Sequence, residues 1–478
     1  MIWLSLVLFL VILQIFVILI KEHREPYKLT AWLFVALIIP LFGFFIFWMA
    51  AGGHRKNMPS EDTVHGPRKT CSPLLQDLQQ TPYTRLHRYI HSISVYPPAA
   101  ARNTKIYVDG QSFYDDLLED LEQAKEHIHM EFYIFRDDAL GHRVAELLKR
   151  KAAEGVVVRC IIDGIGSLSY PKKKIDELIA GGIEVHVYMP AGMSILHKRL
   201  NYRNHRKIVV CDGRIGYWGG MNVGSEYMGD ETKLGYWRDT QMRIAGDAVY
   251  GLQHTFLRDW VQVSGQNWKE SDELLRGRFG FSGERPIEGR ENHGLGGNLI
   301  QFITSGPNQA HHAIHALYYG MFTAAQSSIY VTTPYFIPDD GIKMALISAA
   351  KSGLDVRILI PGRPDSRLIK LATLSHLEEL MREGVHVYEY QPGFIHAKMI
   401  IIDSLYATVG TANVDMRSFF SNFELNAMIY SKSLVKQLEK IFFEDLQHSE
   451  EIDYRAFASR SYWRRMKEAG ARLLSPLL

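Results

Sequence analysis

The sequence predicts an α/β protein in which two pseudo-symmetric α/β lobes follow two transmembrane helices. Three observations lead to this fold class. Two nearly continuous apolar runs open the chain, apolar strands alternate with amphipathic helices in two successive stretches, and one short polar motif occurs twice with matching downstream sequence. Alternation of strands with helices is typical of layered α/β architectures, and a long internal repeat indicates duplication of one module.

The composition is that of a globular protein with more than one domain. A chain of 478 residues, 47% hydrophobic and 22% charged, is long enough for two to three domains and too apolar to be disordered. The net charge of +2 gives no general attraction for nucleic acid, so nucleic acid is not an expected partner. No segment indicates a particular protein partner.

Residues 1–53 contain the two predicted transmembrane helices. The runs Met1–Ile20 and Ala31–Ala51 each reach the ~20 residues that are needed to cross a hydrocarbon core. A cleaved signal peptide is the alternative, but no cationic residue precedes the first run. Cationic residues are slightly more frequent after the second run than between the runs. The predicted location is therefore the cell membrane, multi-pass, with both lobes on the cytoplasmic side.

The rest of the chain divides into a connector and two similar lobes. Strands and helices recur in the same order, and Val-His-Val-Tyr stands at residues 185–188 and again at residues 385–388. The second lobe ends in a tail rich in Arg and Leu, Tyr462–Leu478, which is predicted to be amphipathic. The predicted divisions are 54–103 for the connector, 104–263 for the first lobe, 264–298 for an inter-lobe linker and 299–478 for the second lobe.

One motif, His-x-Lys-x4-Asp, occurs once in each lobe. Its members are, in chain order, His205, Lys207, Asp212, His396, Lys398 and Asp403. In both copies an Asn follows the His by 17 positions, as Asn222 and Asn413. A single copy arises easily by chance, whereas two copies with matching downstream sequence do not. The duplication predicts a single cleft in which the two lobes place their motifs face to face.

The spacing within the motif separates its chemical residues from its structural one. Side chains two positions apart in a strand project to one face, so the His and Lys of each copy are predicted to act together. Asp212 and Asp403 are counted with the catalytic motif, but each lies five positions after its Lys. In a continuous strand they would face the other side, so we expect them to serve the structure.

Two opposed imidazoles beside two lysines are suited to chemistry on a phosphodiester. One imidazole can attack phosphorus while the other protonates the departing alkoxide, and the lysines can stabilise charge on the non-bridging oxygens. The sequence contains neither His-Glu-x-x-His nor a Gly-x4-Gly-Lys-[Ser/Thr] loop. We therefore expect no metal and no cofactor.

The duplicated motif, followed each time by Gly-[Gly/Thr]-x-Asn, resembles the phospholipase D superfamily. The segment Gly410–Phe419, the Asn-Phe-Glu that follows it and the two apolar runs are similar to bacterial cardiolipin synthases in particular. The resemblance covers nearly the whole chain and implies two phospholipase D-like lobes, a covalent phosphohistidine and retention at phosphorus. It also implies that His205 is the nucleophile and His396 the general acid and base, although pseudo-symmetry alone leaves these roles interchangeable.

The resemblance implies further site residues. Glu424, 28 positions after His396, has the spacing at which superfamily members place the acidic residue that orients the imidazole. Asp239, 34 positions after His205, is the candidate for the same task in the first lobe. The amides of the two motif asparagines are expected to donate hydrogen bonds to phosphate oxygens, which makes them substrate-binding residues.

The implied function is that of a membrane-bound phosphatidyltransferase. One phosphatidylglycerol would pass its phosphatidyl group to His205 and release glycerol, and a second would accept the group to give cardiolipin. Phosphatidylglycerol and membrane lipid are thus the expected partners. A hydrolytic phospholipase D stays open as an alternative because it differs only in admitting water. A phosphodiester nuclease is disfavoured by the modest charge, and a non-enzymatic membrane scaffold by the two intact His-Lys pairs.

Overall fold

The computed structural model describes residues 2–22, 26–50, 82–190, 192, 201–229, 234–266, 298–309 and 311–475. Its centre is a 15-stranded mixed sheet with helices packed on both faces. The strands are β1 (Ala99–Tyr107), β2 (His127–Phe132), β3 (Val157–Asp163), β4 (Glu184–Tyr188), β5 (Ile208–Cys211), β6 (Ile215–Gly219), β7 (Tyr236–Arg238), β8 (Gln241–Ala245), β9 (Asn298–Ser305), β10 (Ser328–Thr332), β11 (Phe336–Ile337), β12 (Asp355–Pro361), β13 (His386–Tyr390), β14 (Gly393–Ile395), β15 (Met399–Ile402), β16 (Tyr406–Gly410), β17 (Val414–Asp415), β18 (Glu424–Ile429) and β19 (Ser449–Glu451).

Helices precede the sheet, connect its strands and close the chain. They are α1 (Ile2–Glu22), α2 (Pro26–Ile38), α3 (Phe42–Ala50), α4 (Thr84–Ile93), α5 (Gly110–Gln123), α6 (Ala139–Ala153), α7 (Lys172–Ala180), α8 (Val249–Ser264), α9 (Ala313–Ala324), α10 (Asp340–Lys351), α11 (Arg367–Arg382), α12 (Met416–Phe420), α13 (Lys432–Gln447), α14 (Tyr454–Ala458) and α15 (Tyr462–Leu474). Equivalent helices of the two lobes begin in the same way. The Asp138 carboxylate accepts a hydrogen bond from the third residue of α6, and Asp339 does the same for α10.

The strand order of the large sheet records the duplication. It reads β19-β13-β12-β10-β15-β16-β18-β9-β1-β8-β6-β5-β2-β3-β4, so the two halves mirror each other about the β9–β1 pair. In each half three strands run parallel and a fourth, β5 or β15, lies antiparallel beside the first of them. The prediction of two similar α/β lobes is confirmed. The lobes also share one continuous sheet, joined where Ala99 pairs with Ile300.

The innermost strands of each lobe are apolar without alternation because they are covered on both faces. All residues of β5 and β15 are buried, and these strands consist of Ile, Val, Met and Cys. Packing on both faces restricts the movement of these strands and of the residues at their ends. The segments that immediately precede them carry the His and Lys of the duplicated motif.

Part of the predicted connector belongs to the folded lobes. Within residues 54–103, α4 buries Leu86 and Ile90 in the core of the second lobe, and β1 begins at Ala99, before the predicted boundary at residue 104. The amphipathic spacing of α4 explains why this short segment packs. The predicted linker at residues 264–298 lies almost entirely outside the described residues, as does the first part of the connector.

The amino-terminal apolar runs form three helices. The second run is divided at Pro40, between α2 and α3, and Leu41 has a φ of 66°. Proline lacks the N–H that would continue the helix, which accounts for the break. Within the described parts of the chain, no helix has the combination of length and hydropathy that a membrane span requires.

Candidate active site

The two His-Lys pairs occupy one buried site at the junction of the lobes. His205 and Lys207 lie in extended chain just before β5, and His396 and Lys398 lie just before β15. Each lysine Nζ donates a hydrogen bond to the carbonyl of its own His, at 2.8 Å in the first lobe. The charge of Lys398 lowers the pKa of His205, and that of Lys207 lowers the pKa of His396. The two motifs are therefore within electrostatic reach of each other across the lobe boundary.

Each imidazole is oriented by a carboxylate from the opposite lobe. His205 Nδ1 lies 3.0 Å from both Glu424 oxygens, and His396 Nδ1 lies 2.7 Å from Asp239 Oδ2. The sequence spacing had paired Glu424 with His396 and Asp239 with His205. That pairing within each lobe is wrong, although both acidic residues do orient a histidine.

Short backbone pairings between the lobes explain the crossed arrangement. β7 pairs in parallel with β14, and His396 N–H donates to the carbonyl of Arg238 at 2.6 Å. At the equivalent place His205 N–H donates to the carbonyl of Phe423 at 2.9 Å. The residue after Arg238 is Asp239 and the residue after Phe423 is Glu424. Each acid directly follows the residue whose carbonyl accepts this hydrogen bond. The backbone pairing therefore places Asp239 beside His396 and Glu424 beside His205.

The carboxylates are fixed by close contacts, one of which also explains why the motif has glycine at position 220. Asp239 Oδ1 accepts a hydrogen bond from the Thr240 N–H at 2.7 Å, and it lies so close to Gly220 that a Cβ there would be 2.0 Å away. Glu424 accepts hydrogen bonds from the Thr411 hydroxyl and the Asn422 amide. A side chain larger than hydrogen at Gly220 would displace the Asp239 carboxylate.

Burial and charge set the protonation states of the site. Burial lowers the pKa of both His205 and His396 to about 4, so both imidazoles are neutral near neutral pH. The neighbouring His205 and Lys207 lower the pKa of Glu424 to about 2 against its burial. An ionised carboxylate only accepts hydrogen bonds, so each imidazole donates from Nδ1. The Nε2 lone pair of each ring is left available for attack or proton transfer.

The two lysines are also buried, which makes their charge pH-sensitive. Burial lowers the pKa of Lys207 to about 7 and that of Lys398 to about 8. The charge of Lys398 lowers the pKa of Lys207 further, whereas the carboxylates Glu424 and Asp239 raise the pKa of both lysines. Desolvated cations interact strongly with an arriving phosphate because little water competes. Between about pH 4 and pH 7 the site therefore presents two cations and two neutral imidazoles to an anionic ligand.

Asp212 and Asp403 lie at the other end of β5 and β15 from the imidazoles. Asp212 accepts hydrogen bonds from the N–H groups that open β2, and Asp403 does the same at the start of β10. Their donors are the backbone N–H groups of Lys125, Glu126 and His127 for Asp212 and those of Gln326, Ser327 and Ser328 for Asp403. Counting these two aspartates as catalytic is therefore corrected. They fasten strand ends, as their odd spacing from Lys indicates.

The motif asparagines are buried and already hold neighbouring loops. Asn222 donates from its amide to the Tyr227 hydroxyl and accepts from the Ile134 N–H at 3.0 Å. Asn413 donates to Asp415 Oδ2 at 2.9 Å. An amide nitrogen carries two hydrogens, so each Asn retains one beyond the bond described here. Donation of that hydrogen to a phosphate oxygen stays a prediction.

Aromatic side chains that the sequence reasoning missed line the site. The Tyr133 ring lies 5.0 Å from the His205 ring, and Lys207 Nζ lies 5.4 Å from its centroid. Trp237 and Phe394 lie 5.5 Å and 5.8 Å from the His396 ring. Alignment of Asp137-Asp138 with Asp339-Asp340 places Tyr133, which follows β2, opposite Tyr335, which follows β10. This match between the two halves is a signal that could have found Tyr133. The two imidazoles consequently have different surroundings.

No metal-binding group accompanies these residues in the part of the chain that the structure describes. There, no cluster of three or more His, Cys, Asp or Glu side chains is arranged to hold an ion.

The crossed pairing predicts which histidine responds to each acid. Replacing Glu424 with Gln removes a charge that raises the pKa of His205, so that pKa is expected to fall further while His396 is unchanged. Imidazole ¹⁵N resonances followed against pH measure both rings. Asp239→Asn is the matched variant and should lower the pKa of His396 alone. A change in the pKa of His396 caused by Glu424→Gln would instead support pairing within each lobe.

Comparison with known proteins connects this site to one enzyme family. The family model described as cardiolipin synthase, PLD-like domain, matches residues 117–260 and 318–446. The cardiolipin synthase of Alkalihalophilus pseudofirmus is 40% identical and covers 99% of this chain and 94% of that protein. The cardiolipin synthase of Listeria monocytogenes serotype 4b is 37% identical, with 99% of each chain covered.

A solved structure supports the fold independently. The phosphatidylserine synthase of Haemophilus influenzae superposes with a TM-score of 0.63 over 82% of this chain and all of that one. Its sequence identity to this chain is 15%, so the likeness concerns the two-lobed α/β fold alone.

Proposed function

The chain belongs to the family of cardiolipin synthases with a PLD-like domain, and from this membership we propose that it is a membrane-bound phosphatidyltransferase. It makes cardiolipin and glycerol from two molecules of phosphatidylglycerol. One observation carries the proposal: two buried imidazoles, each oriented by a carboxylate of the opposite lobe, share a site with two lysines. This set of groups can transfer a phosphatidyl group through a covalent intermediate.

In the first step His205 Nε2 attacks the phosphorus of the donor lipid. The N–P bond forms as the bond from phosphorus to the glycerol oxygen breaks, and His396 gives its Nε2 proton to that oxygen. His396 must be protonated for this, and the negative phosphodiester together with Asp239 favours the imidazolium once the lipid is bound. Glycerol leaves, and His205 holds the phosphatidyl group.

In the second step the headgroup hydroxyl of another phosphatidylglycerol gives its proton to His396. The resulting oxygen nucleophile attacks phosphorus, and the N–P bond to His205 breaks. Two inversions give overall retention at phosphorus. One phosphodiester replaces another, so no nucleotide is needed to drive the exchange.

The lysines stabilise the charge that develops on the non-bridging oxygens. Lys207 and Lys398 lie beside the two imidazoles and are themselves almost without exposure to water, at 0% and 2%. Fixed cations in a site that excludes water lower the barrier without any reorganisation of solvent. The same exclusion of water favours a lipid alcohol over hydrolysis of the intermediate.

The amino-terminal apolar segments are proposed to anchor the enzyme in the cell membrane, with the lobes on the cytoplasmic side. The apolar runs at residues 1–53 support this, as does the chemistry, because donor and acceptor are both bilayer lipids. Tethering the cleft beside its substrates raises the frequency of productive encounters.

Activity is expected to decline as the pH rises through about 7 to 8. The pKa of Lys207 is lowered to about 7 and that of Lys398 to about 8, and the cationic form is the one that stabilises phosphate charge. Full activity therefore lies below these values and is lost above them. The measurement is kcat/KM against pH at constant ionic strength. Lys207→Arg, whose charge persists beyond pH ~12, should move the decline to higher pH; an unchanged profile in that variant would contradict the assignment.

The proposed reaction is tested with phosphatidylglycerol as the only lipid, without nucleotide and with a chelator present. Cardiolipin and glycerol in equal amounts, absent with His205→Ala, are the expected products. Phosphatidic acid with glycerol would identify hydrolysis instead. No turnover of phosphatidylglycerol by the wild-type chain would overturn the proposal.

A further inference from the structure

The closing helix, α15, presents an apolar stripe to solvent. Tyr462, Trp463, Met466 and Leu473 are 69%, 75%, 49% and 39% exposed. At the helical spacing of about 100° per residue these side chains fall on one side of the helix. Large apolar side chains grouped on one exposed face indicate a surface that meets an apolar partner.

The opposite side of α15 is fastened to the second lobe. Glu468 and Ala471 are buried there, and α15 packs along α11. Arg460 makes ion pairs with Glu468 at 2.7 Å and with Glu378 of α11 at 2.9 Å. The exposed stripe therefore belongs to a docked helix that faces outward, and packing on the lobe does not cover it.

Basic side chains border the stripe on both edges. On a helical projection Arg465 and Arg472 lie along one edge and Lys467 along the other. An apolar face between cationic edges is the pattern of a helix that lies in the plane of an anionic membrane surface. A protein partner would not require the cations to flank the apolar stripe on both sides.

The position of α15 in the fold agrees with this orientation. The helix also contacts α2, in the second amino-terminal apolar run. The helix that carries the stripe therefore lies on the side of the lobes from which the segments proposed to enter the bilayer extend. α11, on which α15 packs, lies beside β13, and β4 is at the opposite end of the sheet.

We infer that α15 is a docking helix for an anionic phospholipid surface and that it holds the second lobe, and with it the cleft, against the bilayer. This inference rests on the proposed function for its membrane setting. Phosphatidylglycerol bilayers supply both the anionic surface and the substrate. The same surface would be unnecessary for a substrate that reaches the site from solution.

The test uses the full chain in bilayer nanodiscs, with Met466→Glu and Trp463→Ala as variants. Ile179→Glu is the matched control, because Ile179 is 50% exposed on α7 at the opposite end of the sheet. Hydrogen exchange of the backbone amides of residues 462–474 is compared in phosphatidylglycerol and phosphatidylcholine discs. Slower exchange in the anionic discs, lost in Met466→Glu and retained in the control, is expected.

Turnover provides the second readout. For Met466→Glu, kcat/KM with bilayer phosphatidylglycerol should fall about tenfold, because a carboxylate enters the anionic interface. With a short-chain phosphatidylglycerol below its micellar concentration it should not change. Equal exchange in the two kinds of disc, or equal loss with both substrates, would overturn the docking role. Absence of cardiolipin in the wild-type reaction would contradict the proposed function alone, since exchange still reports docking.

Discussion

Replacing His205 with Ala is expected to lower kcat by about 10⁴-fold or more, because the covalent route loses its nucleophile. His396→Ala should lower kcat by about 10²- to 10⁴-fold, the range typical for loss of a general acid and base. Both are measured as cardiolipin formed per folded enzyme. The two effects should not add in the double variant, since either loss already stops the two-step route.

His386→Ala is the control for these histidine variants. His386 also has Nδ1 bound to a carboxylate, Glu451 at 2.7 Å, but this pair is exposed at the sheet edge. The variant His386→Ala should retain the wild-type kcat. Activity of His205→Ala above a tenth of the wild-type value would contradict the nucleophilic role of His205.

Replacing Asp403 with Ala is expected to reduce the free energy of unfolding by about 3 kcal/mol or more, with kcat per folded molecule preserved. Its carboxylate accepts hydrogen bonds from three backbone N–H groups and from the hydroxyls of Ser327 and Tyr83, and the donors would lose their acceptor. Asp403 also has a φ of 56°, which disfavours Ala. Denaturant unfolding measures the difference.

Two matched variants separate the causes. Asp403→Asn keeps one acceptor oxygen and tolerates the positive φ, so its loss of stability should be smaller than that of Ala. Asp176→Ala removes a carboxylate from an exposed pair with Lys172 and should change stability by no more than about 0.5 kcal/mol. A folded Asp403→Ala enzyme with normal stability and no turnover would return this residue to the catalytic group.

Much of the fold could be predicted because the duplication is visible in the sequence. Repeated strand and helix patterns predicted two similar lobes, and residue parity in a strand indicated that Asp212 and Asp403 face away from the histidines. These are local properties, set by side-chain direction and burial. The packing partners of the helix at Thr84–Ile93 could not be predicted from local sequence, because they belong to the distant second lobe.

The crossed His–carboxylate pairs could not be predicted from spacing. Distance along the chain favoured a partner within each lobe, whereas the pairing depends on how β7 meets β14 once the lobes have docked. The break at Pro40 could have been anticipated from the missing N–H. The aromatic surroundings of His205 and His396 differ because the two copies of the module have diverged in side chains while keeping their backbone arrangement.

In the proposed route a phosphatidyl group passes through His205. This route is tested most directly by quenching a single turnover of ³²P-phosphatidylglycerol in alkaline denaturant and mapping the labelled peptide. We predict label on the peptide that contains His205 and none in His205→Ala. The label should accumulate most when phosphatidylglycerol is present at less than one molecule per enzyme, because little of it is then left to act as acceptor. Cardiolipin formed with no label on either motif histidine would contradict the covalent route, and label on His396 would contradict the assignment of the two roles.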